Sequence, residues 1–152
     1  MGLSHPQELR QRLERLVTDV GDLQTASGIG FSHSDAAMVR ASVDHLEKNL
    51  ALRVVDVRQG TQADKADRLE AALRQEDASV VLLTSPVDAV GIVASVVGAY
   101  VDQEPGRRIV DVDGARAIPC LAHNLVVVCD GCDDGPSLPA ALARISYWEF
   151  VP

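Results

Sequence analysis

The sequence is poor in aromatic residues, in cysteine and in clustered positive charge, and it has no apolar run of membrane length. Only 3% of its 152 residues are aromatic, so a core has to come from Val, Leu, Ile and Ala. Such cores suit strands covered on both faces, as in parallel α/β sheets. Three cysteines, an odd number, argue against the disulfide framework of a small secreted domain. Lys and Arg are scattered with no run beyond Arg107-Arg108, and the formal net charge is −8. A field of that sign repels phosphate backbones and anionic lipid, so neither nucleic acid nor a membrane surface is expected as a partner. Residues 87 to 101 are apolar apart from Asp88 and Ser95, yet too few to span a bilayer. The N-terminus has no apolar stretch of signal-peptide type. Together these features predict a cytoplasmic protein with a single α/β domain.

What is present is 47% apolar residue content arranged in alternating strand and helix patterns. Over residues 1–26 an N-terminal helix is expected, with Ser4 and Pro6 at its start. Leu9, Leu13 and Leu16 step by four and three along one apolar seam, which packs on its own domain or on a second copy. Residues 27–152 read as the α/β domain. Its expected strands are Gly28–Phe31, Leu52–Val57, Ser79–Thr84, Arg108–Val112 and Leu125–Val128. Thr61 and Asp64 resemble a capping box ahead of a helix carrying Ala66, Leu69 and Leu73. Ser85 and Pro86 are expected to open a helix to about Val101, apolar nearly all round. Such a helix is either covered on most sides or forms a partner surface, for which Val90, Val93 and Val97 are the candidates. Ser137 is expected to cap a last helix with Leu142 and Ile145 on its core face, and Tyr147-Trp148-Glu-Phe150 to pack aromatic rings on the core. The alternation favours a parallel sheet of about five strands with helices on both faces. Ligands in such sheets sit beyond the carboxyl ends of the strands, which points to loops 32–35, 57–61, 84–88 and 111–119.

Those loops resemble a Toll/interleukin-1 receptor (TIR) domain of the prokaryotic kind. Phe31-Ser-His-Ser-Asp35, Leu52-Arg-Val-Val-Asp56 with Gly60, and Ala78-Ser-Val-Val-Leu-Leu-Thr-Ser-Pro86 are similar to its first three strands and their exit loops. Ile109-Val-Asp-Val112 with Ile118-Pro119 is similar to its fourth strand and proline-containing loop. The resemblance implies a flavodoxin-like sheet. It also implies either NAD processing or association with a partner or a second copy. Phe31, Ser32, His33, Ser34, Gly60 and Ser85 are then the candidate nucleotide-binding residues. Enzymatic members carry a glutamate on the helix after the third strand, and here that position falls near Val96 or Val97. Cleaving the nicotinamide–ribose bond develops positive charge that a carboxylate stabilises and a valine does not. The resemblance therefore implies a non-catalytic interaction module of bacterial signalling or defence with no cofactor and no catalytic residue. The alternatives are an NAD nucleosidase or cyclase using a different acid, with NAD bound, and a receiver-like regulatory domain relying on Asp56 and Asp111.

Other clusters carry less. Cys120, His123, Cys129 and Cys132 have zinc-ligand chemistry, but the residues between the pairs read as a strand that holds them too far apart for one metal. Ser32, His33, Ser34 and Asp35 are adjacent in sequence and do not make a hydrolase triad; Ser34 or Asp35 capping a helix is the simpler role. Asp130, Asp133 and Asp134 read as a solvated acidic loop.

Overall fold

A computed structural model describes residues 11–12, 14–15, 26–31, 40–41, 44, 47–48, 52–75, 79–86, 89, 91–112, 116–122, 124–131 and 139–151. The strands are β1 Ala26–Phe31, β2 Leu52–Asp56, β3 Ser79–Thr84, β4 Ile109–Val112, β5 Arg116–Pro119, β6 Asn124–Asp130 and β7 Tyr147–Val151. The described helices are α1 Gln62–Leu73, α2 Ile92–Asp102 and α3 Ala140–Ala143. Five strands form one sheet in the order β2-β3-β6-β1-β7, every neighbouring pair parallel. Strands β4 and β5 form a separate antiparallel hairpin.

Both faces of the main sheet are covered, as the Val-rich strands require. Val80, Leu82, Leu125 and Val127 pack with Leu69, Leu73, Val93, Val96 and Val97 from α1 and α2 in one apolar cluster. The alternate residues Val81, Leu83, Val126, Val128 and Ile29 have no exposure either. At the start of the sheet Asn124 Nδ2 donates to Ser79 Oγ at 3.0 Å, which satisfies a polar pair between β6 and β3.

The strand order corrects the flavodoxin-like expectation. In that topology the first strand lies between the second and the third. Here β1 lies between β6 and β7, and β2 is an edge strand. Gly28 explains how β7 fits there. A Cβ on Gly28 would stand 2.8 Å from the Trp148 ring and 2.9 Å from the Val127 carbonyl oxygen. The bare glycine leaves room for the indole.

Two further strands go beyond the sequence expectation. Residues 111–119, read as a loop beside the carboxyl ends, instead include β5 and the end of β4, outside the main sheet. The aromatic C-terminal stretch is an edge strand with Trp148 turned to the core, rather than a tail laid over it. The helix expected from Pro86 starts at Ile92. Ahead of it the Ala89 N–H donates to the Ser85 carbonyl at 3.0 Å, and Gly91 is the N-cap. Leu142 and Ile145 are buried as expected, although Ser137 lies outside the described residues.

Candidate site at the carboxyl end of the sheet

Asp56 ends β2 and Asp130 ends β6, with Thr84 ending β3 between them. The three strands are adjacent, so the ends of β2 and β6 are two strand spacings, about 10 Å, apart. Arg58 spans that gap. Its Nε and Nη2 donate to the two oxygens of Asp56 at 3.0 and 2.9 Å, and its backbone N–H donates to the same carboxylate at 3.0 Å. Its Nη1 donates to Asp130 Oδ2 at 3.1 Å. All three side chains are largely shielded, with 26%, 18% and 17% exposed for Asp56, Arg58 and Asp130. Charge-assisted bidentate bonds of this kind are the stronger class of hydrogen bond.

Burial pushes the Asp56 carboxyl up, but the Arg58 hydrogen bonds and charge outweigh it, and its pKa ends below the ordinary 3.8. The bond to Asp56 is the main cause that raises the Arg58 pKa, against partial burial. A general acid or base works best with a pKa near the operating pH, and Asp56 is moved the other way. The arrangement suits a clasp that holds the ends of β2 and β6 together.

The β2–α1 loop is built around a second arginine. Thr61 caps α1, accepting from the Asp64 N–H at 3.1 Å while Asp64 Oδ2 accepts from the Thr61 N–H at 3.3 Å, so the expected capping box is present. Arg68, two turns into α1, donates to the carbonyls of Asp56, Gln59 and Asp64. Gly60 has φ +108, and a Cβ there would stand 2.5 Å from Arg68 Nη2. Gly60 thus makes room for the guanidinium of the chain itself.

The remaining candidates divide clearly. Phe31 ends β1 level with Asp130, and Ser85 is half-buried just past β3. Ser32, His33, Ser34, Val90, Leu9, Leu13, Leu16, His123 and Cys132 lie outside the described residues. Val93 and Val97 have no exposure, so they belong to the chain's own core and are withdrawn as an interaction surface. Val96, where the resemblance would put an acid, is equally buried. Cys120 precedes β6 and Cys129 is near its end, so the strand separates these thiols lengthwise. Cys120 is buried, which pushes its thiol up to about 11. Beside it the Arg108 guanidinium lies 4.3 Å from the Tyr100 ring centre, and Tyr100 donates to the Ala122 carbonyl at 3.1 Å. Burial raises the Tyr100 pKa and lowers that of Arg108. This group ties α2 to the strand connections.

Sequence reasoning named Asp56 but missed Arg58, and it placed Asp130 in a solvated loop. Asp130 shares its arginine with Asp56. Among the described residues no group of three or more His, Cys, Asp or Glu side chains is placed to hold a metal. No described helix is long and apolar enough to cross a membrane. No family model matches the chain, and no curated protein matches it.

Proposed function

We propose that the chain is a non-catalytic protein-interaction module of the signalling or defence kind, acting through an exposed apolar surface. The observation that carries this reading is the state of the carboxylates at the end of the sheet: Asp56 and Asp130 are both tied to Arg58. The Arg58 bonds hold the Asp56 carboxyl below its ordinary range, away from the neutral pKa that suits a reacting acid. The centre of α2 supplies valines, and they are buried.

The apolar surface is the outer face of the β4–β5 hairpin. Val110, Ile118 and Cys120 point inward and are buried. Ile109, Asp111, Ala117, Pro119 and Leu121 alternate with them and are exposed, so the face is apolar around one carboxylate. Ile109 is 52% exposed, Leu121 43% and Val101 39%. Apolar area removed from water contributes roughly 25 cal/mol per Å², so covering this face favours association. Self-association or a partner protein fits it, with NAD needed in neither case. The TIR-like loop motifs supply the signalling or defence setting; the sheet order departs from that family's, so the surface carries more of the reading than the motifs do.

Light scattering over a concentration series tests it. The wild type is expected to grow in mass with concentration, or to capture a partner in pull-down. The double variant Ile109→Glu, Leu121→Glu is expected to do neither while keeping its unfolding midpoint. Unchanged association in that variant would remove the hairpin from the account.

A further inference from the structure

Among the described residues a cavity of about 310 Å³ opens between edge strand β2 and α1. Buried Val55 and Ala72 contribute apolar wall, and the exposed Arg53, Arg68 and Glu47 also line it. The Val57 N–H bonds to Leu83 in β3, so by strand alternation the Val54 N–H points out of the sheet, toward this cavity. It donates to Glu47 Oε2 at 3.3 Å. The Arg68 guanidinium is fixed by carbonyl oxygens alone, which leave its charge uncancelled. Arg53 makes no ion pair among the described residues. The groove therefore carries two positive side chains beside edge strand β2, and a carboxylate already sits on its outward amide.

We infer that this groove docks an extended acidic peptide segment, one of whose carboxylates displaces Glu47 from the Val54 amide between Arg53 and Arg68. The assignment rests on the interaction-module reading and names the chemistry of a partner. Charge complementarity selects the occupant, because the protein as a whole is acidic while this groove is not. Edge-strand addition supplies the backbone bonds, and the pocket beside the strand reads a side chain. The Asp56 carbonyl is taken by Arg68, which confines pairing to the Leu52–Val54 side of the edge. In the free protein Glu47 covers the Val54 amide, a common way for an edge to avoid unwanted pairing. Its bond is long and exposed, so displacement costs little.

The test is a fluorescence-anisotropy titration with a labelled heptapeptide alternating glutamate and valine, beside its glutamine counterpart. The acidic peptide is expected to bind and the glutamine peptide to bind far less. Glu47→Ala should tighten binding about threefold, and Arg53→Ala should weaken it about fivefold with the same unfolding midpoint. Hydrogen exchange at the Val54 amide should slow when the acidic peptide is added. Equal binding of both peptides, or no binding to the Glu47→Ala variant, overturns the inference. Slowing of that amide with protein concentration alone makes the occupant a second copy and overturns it as well. Because these readouts do not involve the β4–β5 hairpin, the hairpin test can fail while this one succeeds, and the reverse.

Discussion

At the scale of single residues, a few positions hold the sheet in its unusual order. Gly28 is the clearest. Its missing side chain is the space in which Trp148 lies, and the opposing atom is a backbone oxygen that cannot swing away. Gly28→Ala should cost about 1–3 kcal/mol through overpacking, read as a lower urea midpoint. Trp148, the only tryptophan, reports that unfolding directly by fluorescence. Asp56 makes a different prediction. Its folded pKa lies below the ordinary 3.8, so its contribution to stability is complete above the unfolded value and is lost as pH falls through the folded one. The stability gap between wild type and Asp56→Asn should therefore be widest near neutrality and should close on acidification. A gap that stays constant down to about pH 2 would mean that the Arg58 bond contributes nothing.

At the scale of elements, what was legible was local. The capping box of α1 needs only residues three apart, and it is present with both of its bonds. Strand β3 was read with its actual limits because five consecutive apolar or β-branched residues leave little else. Strand β5 was missed because Arg116–Pro119 is four residues long, ends in proline and stands in a turn-rich stretch. Strand β7 was missed because aromatic residues following a helix look the same whether they pair or merely pack. Helix α2 began later than expected because Ser85-Pro86 favours a tight turn as well as a helix start. Its buried face yields a firm expectation. Val97→Glu places an unpaired charge in the core and should cost about 3–5 kcal/mol by thermal or urea unfolding, with no gain of NAD cleavage. A folded Val97→Glu protein that releases nicotinamide would show that only the acid was missing.

At the scale of the whole molecule, the strand order and the clasp at the sheet's end were not legible because both depend on distant pairs. Arg58 and Asp130 are 72 residues apart and nothing local links them. Likewise β1 joins β6 and β7 rather than its neighbours in sequence. The resulting molecule has a parallel sheet with both faces covered, a carboxyl end bridged by one arginine between two aspartates, and a hairpin that leaves Ile109 exposed on its outer side. The central claim is that the carboxylates at the sheet's end are structural, and incubation of concentrated pure protein with NAD tests it most directly, with nicotinamide followed by proton NMR. The account predicts no release above the rate without protein. Release that scales with protein concentration and disappears in Asp56→Asn would contradict it.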